Sequence, residues 1–264
     1  MLSKNTHLAI KASIEAGKEI LKIYHSGNFE IKKKKDNSPL TKADKEAHRI
    51  IQSILQKSGI PILSEEGKSI PFKKRKKWPE LWIIDPIDGT KEFIKRNGEF
   101  TVNIALVKNN TPIIGVVYAP ELKTIYFSES GLGAYKKEFH QEQINISDIV
   151  TTSLSLPEKQ NRQTFTIVAS RSHLSKETEE YLRKMEKTHE KISLISKGSS
   201  LKLCMVAEGS ADCYPRFAPT MEWDTAAGQA ICEHAGFKVT DWETKKQMMY
   251  NRENLLNNWF LVHK

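Results

Sequence analysis

Apolar residues recur every three or four positions along the start of the chain, which is the spacing of one face of an α-helix. The stripe over residues 8–23 predicts a first helix that ends near Gly27. A second helix is predicted to begin at Thr41 and to end at Gly59. The chain therefore begins with a helix pair.

The middle of the chain changes to short extended segments. These segments are residues 60–63, 81–84, 101–107, 113–118 and 124–128. The polar tetrapeptide Lys108-Asn109-Asn110-Thr111 separates two segments with alternating apolar residues and predicts a β-hairpin. We therefore expect an antiparallel sheet in this region.

From residue 165 onward, predicted strands alternate with predicted helices, which is typical of α/β layering. The strands are residues 165–169, 192–195, 211–214 and 259–262, and the helices are residues 176–187, 200–207 and 225–234. The fold class is thus α+β in the first half and α/β in the second. The polar segment 147–163 predicts a boundary between an N-terminal subdomain, 1–147, and a C-terminal subdomain, 148–264, of one compact unit.

The composition favours a folded globular chain, since 39% of the 264 residues are hydrophobic and 28% are charged. No apolar run approaches the ~18 residues of a membrane span, and charges interrupt the first 24 residues. We therefore expect a cytoplasmic protein without a transmembrane segment. Cys204, Cys213 and Cys232 are too scattered for a disulfide framework and are predicted to be buried thiols.

The chain is basic, with 41 Lys and Arg against 32 Asp and Glu. Two basic runs stand out, Lys32-Lys33-Lys34-Lys35 and Lys73-Lys74-Arg75-Lys76-Lys77. Both adjoin turn-forming residues, so solvated loops are the favoured interpretation. The alternative is a basic protein that binds nucleic acid or an anionic membrane surface, although no RNA-binding or zinc-finger pattern accompanies the runs.

Two aspartates follow directly on the strand predicted over residues 81–84, in the segment Asp85-Pro86-Ile87-Asp88-Gly89-Thr90. Pro86 is predicted to end the strand pairing, so that both carboxylates can point into one pocket. Gly89 permits close approach of a ligand, and Thr90 is predicted to cap a short helix whose N–H groups favour a phosphate. The combination is typical of a Mg²⁺-assisted phosphoryl site, although the segment alone fits a simple turn equally well.

Two further acidic sites lie at the ends of predicted elements. Glu65 and Glu66 follow the strand over residues 60–63, and Asp224 begins a helix of small residues. By itself, Asp224 fits a helix N-cap better than a metal ligand. Three such sites together, without a competing motif, favour one shared metal centre.

In this order, these acidic segments resemble the three-part signature of the lithium-sensitive, Mg²⁺-dependent phosphatases that include inositol monophosphatase and fructose-1,6-bisphosphatase. Other segments are similar to those of the bacterial CysQ-type 3′(2′),5′-bisphosphate nucleotidases. They are Asp36-Asn37-Ser38-Pro39, residues 88–103 and Tyr214-Pro215-Arg216-Phe217. The resemblance covers the chain to about Asn254 and implies a layered α-β-α-β-α sandwich.

The resemblance also implies roles for individual residues, with two or three Mg²⁺ ions as cofactor. The implied metal ligands are Glu65, Asp85, Asp88, Asp224 and the main-chain carbonyl of Ile87. The residues implied to position or activate the attacking water are Asp44, Glu65 and Thr90, and those that hold the scissile phosphate are Gly89 and Thr90. The residues implied to face the nucleotide are His173, Ser199, Lys202 and Arg216. Gly67 stands where the family usually has an acid, which leaves the role of Glu66 open.

The implied reaction is hydrolysis of the 3′-phosphate of adenosine 3′,5′-bisphosphate to AMP and phosphate, in support of sulfate assimilation. The 3′-phosphosulfate of that pathway, which would yield adenosine 5′-phosphosulfate, is a further candidate substrate. An inositol monophosphatase is the alternative within the same class, because it shares the metal site. Peripheral contact with the inner membrane is compatible with the enzyme, and the sequence does not predict its oligomeric state.

Overall fold

A computed structural model describes residues 2–33, 39–140, 146–159, 163–170 and 175–264 of the chain. The helices are α1 (Lys4–Ser26), α2 (Lys42–Leu55), α3 (Phe72–Arg75), α4 (Thr90–Ile94), α5 (Lys176–Glu186), α6 (Leu201–Ala207) and α7 (Glu222–His234). The first strands are β1 (Lys32–Lys33), β2 (Pro39–Leu40), β3 (Ile62–Ser64), β4 (Glu80–Asp88), β5 (Thr101–Lys108), β6 (Thr111–Ala119) and β7 (Thr124–Glu129). The remaining strands are β8 (Gly133–Glu138), β9 (Leu154–Ser155), β10 (Phe165–Ser170), β11 (Ile192–Lys197), β12 (Tyr214–Arg216), β13 (Lys238–Asp241) and β14 (Phe260–His263).

The largest sheet has the strand order β3-β4-β5-β6-β7-β8-β9. β3 and β4 are parallel, and the other neighbours are antiparallel, as the alternating segments predicted. The predicted hairpin joins β5 to β6 through Asn109 and Asn110, which have φ angles of 48° and 66°. Asparagine tolerates this left-handed conformation better than most residues, which explains why the turn forms there.

Helices cover both faces of this sheet. On one face α1 and α2 pack their apolar stripes against the strands, with Ile10 and Ile51 in the same core as Trp82. On the other face lie α6 and α7, followed by the sheet of order β12-β14-β13 and the parallel pair β10–β11. α5 forms the outer layer, where the Tyr181 ring contacts Phe217 at 5.8 Å. This order of layers confirms the α-β-α-β-α sandwich.

The sequence predicted that strand pairing ends at Pro86, but β4 continues to Asp88. Its pairing with β5 shifts register between Asp85 and Asp88 and resumes where Asp88 faces Thr101. Proline has no N–H to donate, so the irregularity falls where a ladder bond is missing anyway. The prediction was therefore right about the interruption and wrong about the end of the strand.

The second basic run, residues 73–77, was predicted to be a solvated loop, and the structure agrees with this only in part. Its lysines are exposed, but Arg75 has only 2% of its surface exposed and bonds to the segment over residues 251–253. A buried guanidinium is tolerated only where acceptors surround it. Arg75 therefore has a structural place, whereas Lys34 and Lys35 of the first run lie outside the described residues.

Several boundaries differ from the predicted ones. α7 begins at Glu222, three residues before the predicted start, and β12 lies over Tyr214–Arg216 instead of 211–214. The elements that were not predicted are β1, β2, α3, β8, β9 and β13. Cys204, Cys213 and Cys232 are buried free thiols, as expected. Among the described residues, no helix has the length and apolar character that a membrane span requires.

Gly115 sets how closely α7 approaches the sheet. A Cβ at this position on β6 would overlap the Ala227 carbonyl oxygen and lie 2.8 Å from the Ala230 Cβ. We expect Gly115→Ala to lower the free energy of unfolding by about 1–3 kcal/mol, because the packed core cannot absorb the methyl group. Chemical denaturation measures this loss. Gly67→Ala is the control, with a smaller expected loss, since its methyl would lie 3.2 Å or more from every neighbour.

Candidate active site

Two aspartates that are three residues apart in the sequence, and a third from much further along the chain, converge beside the sheet. Carboxylate oxygens of Asp85, Asp88 and Asp224 all lie within 4.8 Å of one another. Asp85 and Asp88 flank the register shift in β4, and Asp224 lies in the first turn of α7, which packs on β4. The fold thus brings together the acids of two of the three predicted sites.

Burial and mutual repulsion dominate the electrostatics of this cluster. Burial raises the pKa of Asp85 well above its usual range, and the charges of Glu65, Asp88 and Asp224 raise it further. The pKa of Asp224 is raised to about 8, first by burial and then by Asp88. Several carboxylates that disfavour each other's ionisation form a donor set that fits a small hard cation such as Mg²⁺.

Glu65 joins the cluster from the position directly after β3, the neighbour of β4. Its side chain hydrogen-bonds to Asp85, and its backbone N–H donates to the Ile84 carbonyl oxygen at 3.2 Å. Glu66 is half-buried in the following turn, where its charge acts on His48. The paired acids therefore have different surroundings, because Glu65 bonds to an aspartate of the cluster and the charge of Glu66 acts on His48.

Asp224 is not the N-cap of α7, in contrast to the simplest interpretation of the sequence. Met221 occupies that position, and its backbone N–H donates to Asp224 Oδ2 at 2.8 Å. Asp224 is thus the third residue of the helix, and one of its carboxylate oxygens accepts the hydrogen bond from the N-cap residue. The same carboxylate faces Asp88, so capping and cluster formation are compatible.

The loop after β4 brings Thr90 to Asp44. Gly89, with a φ of 89°, is the N-cap of α4, so the prediction that Thr90 caps this helix is wrong. The Thr90 hydroxyl instead lies 3.4 Å from Asp44 Oδ1 and 3.3 Å from the Ile87 carbonyl oxygen. Asp44 is buried, and its Oδ2 accepts the Thr41 backbone N–H at 2.7 Å in the capping box of α2. Asp44, Ile87 and Thr90 therefore meet, as the predicted site requires.

Two polar residues that the sequence analysis missed support Asp88. Ser200 Oγ lies 2.7 Å from both Asp88 Oδ2 and the Asp224 carbonyl oxygen. Asn103 Nδ2 donates to Ser200 Oγ at 2.8 Å. Asn103 is a polar residue within an apolar strand, which was a usable signal, whereas nothing in the sequence separates Ser200 from Ser199.

Three of the four residues predicted to face the nucleotide line one cleft together with two of the aspartates. Ser199, Lys202 and Arg216 border the same cleft as Asp88 and Asp224, whereas His173 lies outside the described residues, as do residues 36–38. The buried Lys202 ammonium bonds to the carbonyl oxygens of Lys197 and Ser199, and burial lowers its pKa to about 8. Lys202 therefore supports the loop and lines the cleft.

The sequence pattern of the inositol monophosphatase family matches residues 1–263 of the chain. The chain belongs to the inositol monophosphatase family. Members of this family are metal-dependent phosphatases, which agrees with the acidic cluster. The predicted family and fold are thus confirmed.

Several family members are similar over almost the whole chain. The 3′(2′),5′-bisphosphate nucleotidase CysQ of Salmonella typhimurium is 44% identical over 251 residues, which cover 94% of each chain. The CysQ of Haemophilus influenzae is 32% identical and covers 99% of this chain and 94% of its own. The crystal structure of CysQ from Bacteroides thetaiotaomicron superposes with a TM-score of 0.89 at 50% identity, covering 98% of this chain and 96% of that one.

The raised pKa values predict that the metal-free site lowers the stability of the protein. Between pH 4 and pH 8 the unfolded Asp224 ionises, but the folded one, with a pKa of about 8, does not. The folded state therefore binds the extra proton, and its stability falls as the pH rises through this window.

We expect Asp224→Asn, which cannot ionise, to raise the free energy of unfolding relative to the unmodified protein in the presence of a chelator. The gain should grow from about pH 4 to pH 8 and then level off. Urea denaturation at a series of pH values measures it. A gain of the same size at all pH values would contradict this account of the cluster.

Proposed function

We propose that this protein is a Mg²⁺-dependent 3′(2′),5′-bisphosphate nucleotidase that hydrolyses adenosine 3′,5′-bisphosphate to AMP and phosphate. The observation that carries the proposal is the cluster of Asp85, Asp88 and Asp224, in a chain that matches CysQ nucleotidases at 44% identity over 94% of its length. The similarity supports the choice of nucleotide, and the cluster supports metal-assisted chemistry.

The proposed ligands of two or three Mg²⁺ ions are Glu65, Asp85, Asp88, Asp224 and the carbonyl oxygen of Ile87. When bound, the ions would neutralise charge on the scissile phosphate and lower the pKa of a coordinated water. The repulsion among the buried carboxylates supports this assignment, since it is relieved by a cation.

The chain itself supplies the residues that orient the attacking water. The Thr90 hydroxyl lies between Asp44 and the Ile87 carbonyl, and Glu65 lies across the cluster beside Asp85. Asp44 is fixed by the capping box of α2, so it can hold the Thr90 hydroxyl in one direction. We assign Asp44, Glu65 and Thr90 to positioning and activation of this water for in-line attack.

The scissile phosphate is assigned to the start of α4. A Cβ at Gly89 would lie 3.1 Å from the Glu99 carbonyl oxygen and 3.3 Å from the Ser199 Cβ, so a side chain would crowd this end of the cleft. Gly89 and Thr90 can therefore approach the phosphate with their backbone. Because β4 leads directly into this loop, the phosphate would lie beside the metal ligands.

The basic wall of the cleft supports a substrate with a second phosphate group. Lys91, Lys197, Lys202 and Arg216 line the same cleft as Asp88 and Asp224. Arg216 Nη2 donates to the Pro219 carbonyl at 3.0 Å, while its buried Nε has no partner among the described residues. An inositol monophosphate has one phosphate and would leave this wall without its anionic partner.

The direct test is phosphate release from adenosine 3′,5′-bisphosphate, inositol 1-phosphate and fructose 1,6-bisphosphate, each with and without Mg²⁺ and Li⁺. We expect a strong preference for the nucleotide that requires Mg²⁺ and is lost with Li⁺. Preference for inositol phosphate would keep the metal centre and overturn the nucleotide assignment. No release from any substrate would favour the basic binding protein instead, which salt-sensitive binding to duplex DNA or anionic vesicles would reveal.

Asp88→Asn should lower kcat about a hundredfold or more, because it removes a metal-binding charge without removing core packing. The free energy of unfolding should not fall. Steady-state kinetics and denaturation measure the two effects. Asp148→Asn, at an exposed position outside the cleft, is the control with unchanged kcat. Unchanged turnover in Asp88→Asn would contradict the proposed site.

Arg216→Gln should raise KM for the nucleotide about tenfold and change kcat less, because it removes a charged partner of the second phosphate. KM for inositol 1-phosphate, where any turnover is measurable, should change less than KM for the nucleotide. Lys238→Ala, which removes an exposed charge on β13, is the control with an unchanged KM. An unaltered nucleotide KM in Arg216→Gln would place the nucleotide elsewhere.

A further inference from the structure

The first turn of α7 is held by a carboxylate that the proposed reaction does not use. Glu222 is completely buried, two residues before Asp224. Its Oε2 accepts the Asn251 backbone N–H at 2.6 Å, and its Oε1 accepts the Arg252 backbone N–H at 3.0 Å. The Arg252 Nε lies 3.4 Å from the same Oε1. Glu222 therefore ties the start of the helix to the backbone over residues 251–252.

Asn251 extends this connection to the second basic run. Its Oδ1 accepts a hydrogen bond from Arg75 Nη1 at 2.8 Å, and its Nδ2 donates to the Arg75 carbonyl oxygen at 3.0 Å. The φ angle of Asn251 is 58°, a left-handed conformation that asparagine tolerates. The residue thus turns its backbone N–H toward Glu222 and its side chain toward Arg75.

Arg75 fixes the other end of this network. Its Nε donates to the Ile70 carbonyl oxygen at 3.0 Å, and its Nη1 and Nη2 donate to the carbonyl oxygens of Arg252 and Glu253 at 2.9 and 3.2 Å. A planar guanidinium with an acceptor on each nitrogen resists both sliding and rotation. The exposed lysines around it in the basic run make no comparable set of contacts among the described residues.

We propose that Arg75, Asn251 and Glu222 form a positioning clamp that holds the first turn of α7, and with it Asp224, at the geometry the metal requires. This inference rests on the proposed function of the aspartate cluster. Metal ligands must be held within about 0.5 Å of the productive geometry, so a helix start free to shift would weaken binding. Part of the basic run thereby serves the active site rather than a polyanionic partner.

The contacts of Asp224 explain how the clamp reaches the metal site. Asp224 accepts the backbone N–H of Met221, so its carboxylate direction depends on the position of the helix start. Glu222 lies between these two residues and is the point where the clamp attaches. The three clamp residues are therefore positioning residues, which act through Asp224.

The test uses the purified full-length protein and two variants of different severity. Asn251→Gly removes both side-chain bonds to Arg75 and retains a residue suited to positive φ. Arg75→Met removes the guanidinium and keeps much of its apolar volume. Lys74→Met makes the same charge change at an exposed neighbour and is the matched control. Isothermal calorimetry without substrate measures the Kd for Mg²⁺, and urea denaturation in a chelator measures stability.

We expect the Mg²⁺ Kd to rise about tenfold in Asn251→Gly and more in Arg75→Met, as is usual when partners of metal ligands are lost. Lys74→Met should bind like the unmodified protein. At saturating Mg²⁺, KM for the nucleotide should change less than twofold, because the substrate wall is separate from the clamp. If Arg75→Met does not fold, Asn251→Gly decides the question.

An unchanged Mg²⁺ Kd in folded Asn251→Gly, with lowered stability alone, would overturn the clamp and leave the proposed function intact. Asp224→Asn is the reference for the site. Should the unmodified protein bind Mg²⁺ no better than Asp224→Asn, the proposed metal centre and the clamp would both fall. The two failures are therefore distinguishable.

Discussion

The structure depends on one electrostatic constraint, the confinement of three aspartates within 4.8 Å of one another in a partly buried site. Burial and the neighbouring carboxylates disfavour the charges of Asp85 and Asp224, so the pKa values of both are raised. Such an arrangement is unfavourable without a cation and persists because the surrounding fold holds it. The metal-free cluster therefore lowers the free energy of unfolding, while it supplies the hard oxygen ligands that a metal-dependent phosphatase needs.

The surrounding elements offset this repulsion in separate ways. The register shift in β4 places Asp85 and Asp88 on the same site, and the first turn of α7 presents Asp224 where the helix dipole favours a negative charge. The Ser200 hydroxyl bonds to both the Asp88 carboxylate and the Asp224 carbonyl oxygen, so one side chain links β4 to α7. α7 packs so closely on β6 that Gly115 has no room for a side chain, and this contact sets the distance between the helix and the sheet.

The acidic cluster and the basic wall of the cleft are built from largely different elements of the fold. The clustered acids come from β4, α7 and the residue after β3, whereas the basic wall comes from α4, the end of β11, α6 and β12. The suhB protein of Bartonella henselae has the same fold, with a TM-score of 0.74 at 23% identity, over 99% of this chain. The layered sandwich can therefore persist while most of the sequence changes.

The sequence by itself determined the helix pair, the hairpin at Asn109-Asn110 and the acidic residues, because these follow from local spacing and turn chemistry. The division at residues 147–163 stays a prediction. Only the tertiary structure decided that β4 continues past Pro86 and that Met221, not Asp224, caps α7. It also placed Ser200 beside Asp88 and buried Arg75 within a run of exposed lysines. The contacts of Ser200 and Arg75 involve partners more than a hundred residues away, and local sequence patterns contain no information about such contacts.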